Sequence, residues 1–347
     1  MSRQDQSVES GGAAIQAGGD VVVHQGMSPK QMSEIMMAIA KQLSIYHDEA
    51  RHIADGRFAS FQEELLKRFA NPKQADPNAF RDPDFQYLIG DAQEAFARSG
   101  DEAVRDTLID IIAKRSLEKT RNRLTITLND AATRAANLTE NEFAALSLIY
   151  LVRHAVDNKV TTFSAYCDHL KSQLLPFARN ISAEPSSFWH MQAQACGSIE
   201  MGHKDLAATL RSKYTGVLGD GFTRQQLEDH LPDGKKHAID NFIIPCINDA
   251  SKLQPNAIRF NVWKENVLPF CELSEPELQN VWNCFESTIP DLVKRTTDAV
   301  PELTVLFDAW KSTPIKQFSL TSVGIAIAHA NAARVIGFTP SLDEWIK

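Results

Sequence analysis

The sequence predicts a mainly α protein: a helical array of hairpins, preceded by a short N-terminal β-hairpin and a long amphipathic helix. Three observations carry this reading. Apolar residues recur at steps of three and four along most of the chain, the period of a helix that buries one face. Helix-start chemistry opens several of these stripes, with a hydroxyl or carboxylate N-cap and an acidic or amide residue three positions on. A hairpin signal stands at the opening, where Gly18 and Gly19 separate residues 13–17 from residues 20–25, the two-residue turn pattern between extended runs.

With those glycines at the turn, Ala17 faces Asp20, Gln16 faces Val21, Ile15 faces Val22 and Ala14 faces Val23, so apolar side chains fall on both sheet faces. A lone hairpin is marginal in water, and its open edges are templates for further pairing. Ile15, Val21, Val22 and Val23 are therefore expected to pair with the same segment of other copies. The competing reading is a terminus without fixed structure, because residues 1–12 are polar and rich in Gly, Ser and Gln.

The long helix is expected over residues 28–70, with Ser28 as N-cap, Pro29 at its first position and Gln31 three residues after the cap. Met32, Met36, Ile39, Leu43, Tyr46, Ala50 and Ile53 follow in alternating steps of four and three, the spacing of a coiled-coil seam over roughly three heptads. Past Gly56 the stripe re-phases to Phe58, Phe61, Leu65 and Phe69, so the helix is expected to bend there or a second helix to begin. Burial of the same stripe within its own domain is the alternative.

The remaining chain divides at loops. Residues 71–84 carry Pro72, Pro77 and Pro83 among Asp and Asn, and Pro232, Asp233 and Gly234 mark a second break. The expected organisation is a tail and hairpin over 1–26, the long helix over 27–70, a central helical domain over 71–232 and a C-terminal helical domain over 233–347. Phe85, Leu88, Ala92 and Phe96 give one helical stripe, and Val104, Leu108, Ile111 and Ile112 the next, capped by Asp101. Leu124, Ile126 and Leu128 alternate like a strand, but Ala131, Ala132 and Ala135 extend a helical face from Leu128, and length decides for helix. Thr139 with Glu142, Thr223 with Gln226, and Ser274 with Glu277 are capping-box pairs. Further helices are expected over 162–177 and 185–199. Near the end Phe318, Leu320, Thr321 and Gly324 join a short extended piece to a final helix, an order also found in winged-helix-like modules.

Composition sets the class. A hydrophobic fraction of 43% with 23% charged residues belongs to a folded, non-membrane chain, and no apolar run reaches the length of a span. A net charge of −8 argues against a broad nucleic-acid footprint. No positively charged start leads into an apolar core, so no secretory signal is read and a cytoplasmic setting is expected. The five cysteines, Cys167, Cys196, Cys246, Cys271 and Cys284, are an odd, scattered set and read as core thiols.

Candidates for chemistry are sparse. His190, Cys196 and His203, with Glu200, hold donor types that suit zinc, but their separations are not helix-face spacings. Cys167 and His169 suggest a nucleophile pair, yet near neighbours on a helix point apart and no orienting third group is evident. His47, Asp48 and His52 allow a surface pair. Gly216, Gly219 and Gly221 lack the Lys-Ser/Thr ending of a phosphate loop and read as a turn. Arg115, Lys119, Arg121 and Arg123 form a basic run of the kind usually solvated. No catalytic, cofactor-binding or metal residues are assigned, and no cofactor is expected.

The opening Ile15-Gln-Ala-Gly-Gly-Asp-Val-Val-Val23, followed by a Ser-capped helix, resembles the N-terminal motif of an uncharacterised family of bacterial helical proteins. More loosely, it is similar to Gln-Ala-Gly-x-Asp segments of bacterial amyloid-signalling and defence-associated proteins. Phe80-Arg-Asp-Pro-Asp-Phe-Gln-Tyr87, Leu320-Thr-Ser-Val-Gly324 and the terminal Trp345-Ile give the same resemblance. It implies self-association in phage defence or stress signalling, and it carries over no catalytic residue. The functional expectation is a homo-oligomeric scaffold or sensor, assembled through Ile15, Val21, Val22, Val23, Met32, Met36, Ile39 and Leu43, with room for a protein partner. The alternatives are an enzyme with a site near His190 and His203, and a nucleic-acid-binding regulator.

Overall fold

Residues 29–337 and 340–346 are described by the computed structural model, and the chain is mainly helical. The expected hairpin, with Ile15, Val21, Val22 and Val23, lies outside the described residues. The chain divides into two compact units, Met1–Ala54 and Asp55–Lys347.

Helix α1 runs from Pro29 to Phe69 without interruption. No second helix begins at Gly56. A glycine costs a helix interior about 1 kcal/mol relative to Ala, and the flanking Ile, Ala, Arg and Phe sustain the ladder across it.

Within the second unit, Phe61, Leu65 and Phe69 of α1 are buried in the main core. The proline-rich segment after α1 packs closely: Ala75 is fully buried, Asp76 N–H donates to Ser116 Oγ at 2.9 Å, and a short 3-10 turn forms over Pro77–Arg81. Helices α2 (Pro83–Ser99), α3 (Glu102–Leu117), α4 (Arg123–Ala135) and α5 (Glu140–Arg153) follow, joined by short loops, and α3 packs against both α2 and α4. Asp82 and Asp101 cap α2 and α3 as their side chains accept first-turn N–H groups, and Thr139 with Glu142 forms the expected capping box of α5.

The helix expected over 162–177 forms in three pieces: α6 (Phe163–His169), a π-helical turn (Leu170–Leu174) and α7 (Leu175–Ala178). Pro176 explains the break, since it has no N–H for the carbonyl four residues back and its ring crowds that carbonyl, so the ladder widens upstream. The helix expected over 185–199 ends early. α8 spans Pro185–Ala193, Ala195 takes φ +56°, and Gly197–Ile199 forms strand β1. Tertiary pairing wins here, because β1 needs extended backbone to meet a strand far along the chain.

Helix α9 (Leu206–Leu218) includes Gly216, whose N–H donates to Ile258 O at 3.0 Å, so the glycine cluster serves close packing and then a turn. Short elements follow: α10 (Arg224–Asp229), the paired strands β2 (Ile243–Pro245) and β3 (Leu253–Pro255), α11 (Phe260–Val267) and α12 (Glu275–Phe285). They surround a satellite core centred on Trp263 and Trp282, whose rings lie 5.8 Å apart, with Phe222 and Phe285. The turn at Pro232, Asp233 and Gly234 falls inside this group.

Helices α13 (Ile289–Ala299) and α14 (Thr304–Ser312) return to the main core. Strand β4 (Phe318–Leu320) pairs antiparallel with β1, and α15 (Ser322–Ile336) is inserted among α3, α4 and α5. Its run from Gly324 to Ala332 is buried on every face, and the alanines at 326, 328, 330 and 332 let the neighbouring backbones approach. Two polar residues of α15 are satisfied inside: Asn331 Nδ2 donates to Ser147 Oγ at 2.8 Å, and Lys114 Nζ lies 2.8 Å from His329 Nδ1. The expected strand-to-helix order is therefore present, but β4 pairs with β1 and α15 is the centre of a core rather than a surface helix. Leu320 is only half-buried, whereas Ile327 is fully buried.

Candidate functional site

The first unit presents the most conspicuous surface. Off the stripe α1 exposes Ile35, Met37 and Ile45, with Met37 at 71%, and along it, from Met32 to Ile53, it exposes Met32, Met36, Ile39, Leu43, Tyr46 and Ile53, with Met36 at 61% and Leu43 at 60%. These positions fall within a narrow band of an ideal helix, because steps of four and three return nearly to the same angle. If Met36 is placed at heptad position a, then a and d hold Met36, Ile39, Leu43, Tyr46, Ala50 and Ile53. The flanking e and g positions hold Ile35, Ala40, Gln42, His47, Glu49 and Ala54, among which Glu49 is the one carboxylate and there is no lysine or arginine. The outer f positions hold Glu34, Lys41 and Asp48. Charge sits opposite the seam and is almost absent beside it, an arrangement that permits an identical helix to approach without like-charge repulsion. His47 accepts from Arg51 at 3.3 Å along the same helix, so the surface pairing there is with Arg51.

The expected metal candidates do not converge. His190 Nδ1 lies 2.7 Å from Glu142 Oε1, while Glu142 Oε2 accepts the Thr139 N–H at 2.8 Å, so this buried carboxylate is spent on a helix cap and one histidine. Cys196 is buried, and desolvation pushes its thiol up to about 12. Glu200 and His203 are exposed. Among the described residues, no group of three or more His, Cys, Asp or Glu side chains could hold a metal ion. Cys167 is buried with its pKa raised by desolvation, and His169 turns to Asp157, 3.3 Å away, rather than to the thiol.

The basic run separates into two kinds of residue. Arg115 is buried, donates to Asp82 at 3.1 Å and Asp84 at 2.9 Å, and ties α3 to the start of α2, whereas Lys119, Arg121 and Arg123 are exposed. Arg115 is thus a structural cation, not a member of a solvated face. Its burial has a sequence signal, since it follows the apolar Ile111 and Ile112 at helical spacing.

Three features had no sequence signal because they join distant residues. Lys114 bonds Asp110 and His329, Arg68 reaches Asp110 at 3.2 Å, and His329 Nε2 lies 2.6 Å from Pro340 O. Burial pushes the His329 imidazole down to about 4, so it is neutral, donating through Nε2 and accepting at Nδ1. Lys213 Nζ donates to Ala155 O at 2.5 Å and Leu151 O at 3.3 Å, capping the C-terminus of α5, and burial lowers its ammonium to about 8. It lines a cleft of about 380 Å³ with Asp157, Tyr214 and Arg259. A larger cavity of about 670 Å³ lies where α9, α13 and α14 meet, and its wall carries Lys204, Lys294, Lys311 and Lys316.

Among the described residues no helix is long and apolar enough to cross a membrane. A family model whose description reads ":-like" matches residues 26–346. No curated protein and no solved structure matches the chain.

Proposed function

The chain belongs to the ":-like" family, and from that premise we propose that it is a cytoplasmic homo-oligomeric scaffold or sensor, assembled through α1 and the segment before it. The observation that carries the reading is the exposed seam of Met32, Met36, Ile39 and Leu43 at coiled-coil spacing. This face lies inside the matched residues, 26–346. A second copy of the same helix is the occupant it suits: the seam is self-complementary in spacing, and its e and g flanks carry little charge to oppose it. Ile15, Val21, Val22 and Val23 would extend the contact by strand pairing. The resemblance of the opening motif points this scaffold toward bacterial phage defence or stress signalling.

The test is mass by light scattering on the full chain, alongside circular dichroism. The expected result is a multiple of 38.6 kDa, reduced by Leu43→Lys with helicity retained, because Leu43 is 60% exposed in the single chain and a lysine is tolerated there. A wild-type chain that is monomeric at micromolar concentration, or a Leu43→Lys chain that keeps its mass, would sink the proposal.

A further inference from the structure

The cavity between α9, α13 and α14 gathers positive charge from four separate elements. Lys204 precedes α9, Lys294 stands on α13, Lys311 on α14, and Lys316 on the 3-10 turn Pro314–Gln317. The backbone holds this gathering in place: Lys204 N–H donates to Lys316 O at 2.9 Å, Trp310 Nε1 donates to Lys204 O at 2.8 Å, and Lys316 Nζ donates to Lys311 O at 2.7 Å. The ammonium groups of Lys204, Lys294 and Lys311 have no acceptor among the described residues. Asp205 and Asp308 share the wall, but Asp205 Oδ1 already accepts the Ala208 N–H at 2.8 Å as the cap of α9. Four lysines against two aspartates leave an excess of positive charge in a chain whose net charge is −8.

Lysines that share one wall raise the local positive potential, and a compact anion is favoured there. Leu206 and Ala207, the first residues of the 13-residue helix α9, also line the cavity beside the Asp205 cap. The wall is not polar throughout, since Phe307, Val293 and the edge of Trp310 supply an apolar side. A volume of about 670 Å³ falls in the range of small-molecule sites. Charge focused into a hollow, rather than spread along a face, selects a compact ligand.

We propose that this cavity is a binding site for a phosphate-bearing small molecule with an apolar or aromatic body, of about the size of a nucleoside phosphate, held at its phosphates by Lys204, Lys294 and Lys311. The assignment is independent of the assembly reading, because the cavity belongs to Asp55–Lys347 and the seam to Met1–Ala54.

Isothermal titration calorimetry of the full chain at fixed ionic strength, with ATP, pyrophosphate and adenosine as separate titrants, tests it. ATP is expected to bind with saturable heat, pyrophosphate more weakly, and adenosine weakest. Lys294→Gln and Lys311→Gln each change an exposed side chain, so melting should be unaltered while ATP affinity falls by about five-fold or more, as expected when a charge-assisted contact is lost. The double variant should lose still more. Absence of heat with ATP, or unchanged affinity in both variants, would overturn the site. Adenosine binding as tightly as ATP would overturn the phosphate assignment, and pyrophosphate binding as tightly as ATP would overturn the role of the apolar wall. A monomeric mass in light scattering leaves this result unaffected.

Discussion

Gly324→Ala is the sharpest probe of how the second unit is closed. A Cβ at Gly324 would lie 1.8 Å from Cys196 O and 2.8 Å from Cys196 C, so one methyl group collides with backbone rather than with a side chain that can swing away. Relief requires the first turn of α15 and the end of α8 to separate by more than an ångström. Two hydrogen bonds span that junction: Thr321 N–H to Cys196 O at 3.1 Å and Thr321 Oγ1 to Ala195 O at 2.6 Å. Overpacking costs about 1–3 kcal/mol, and each strained hydrogen bond adds about 1 kcal/mol, for a total of about 3–5 kcal/mol. In a domain of this size that lowers Tm by roughly 10 °C. Gly90→Ala is the control. Gly90 is exposed within α2 with nothing within 4 Å of an added Cβ, so the same change there should stabilise by up to about 1 kcal/mol. Thermal melts followed by circular dichroism measure both. If Gly324→Ala melts with the wild type, the close approach of α15 to Cys196 is wrong.

Acid should weaken the fold through His329. Its imidazole sits near 4 when folded, against about 6.5 when unfolded, so this part of the stability is present above pH 6.5 and is lost as pH falls toward 4, by about 3 kcal/mol at most. Denaturant midpoints at pH 7.5 and 5 should differ, and His329→Gln should shrink the difference; an identical pH slope in the two proteins would refute the assignment. Ile327→Ala, at a fully buried site, should cost about 2–5 kcal/mol, whereas Leu320→Ala, half-buried at the end of β4, should cost about 1 kcal/mol. Urea midpoints decide, and equal losses would contradict the difference in burial.

Local rules were legible in the sequence. The capping boxes at Thr139, Thr223 and Ser274 all form, because a cap is built from residues three positions apart and needs nothing from the rest of the chain. The run at 124–128 became helix as its alanines required. The failures share a cause. β1 interrupts the expected 185–199 helix because its partner is β4, more than a hundred residues later, and no local pattern announces such a pairing. The burial of Arg115 could be read from Ile111 and Ile112 at helical spacing, but its partners Asp82 and Asp84, some thirty residues earlier, could not. The helix of α1 was legible, since a periodic stripe is a local property. The lysine cavity was invisible, since Lys204, Lys294, Lys311 and Lys316 are scattered singly and only the packing of three helices brings them together.

The position of α15 has a consequence for synthesis. The groove it fills is formed by α3, α4 and α5, yet the whole of residues 154–321 must be made before the filler exists. Until then a nascent chain carries an open apolar trough, while α1, with its exposed seam, has already left the ribosome. The main core is therefore completed only once α15 has been made, and the body of the chain folds late in its synthesis.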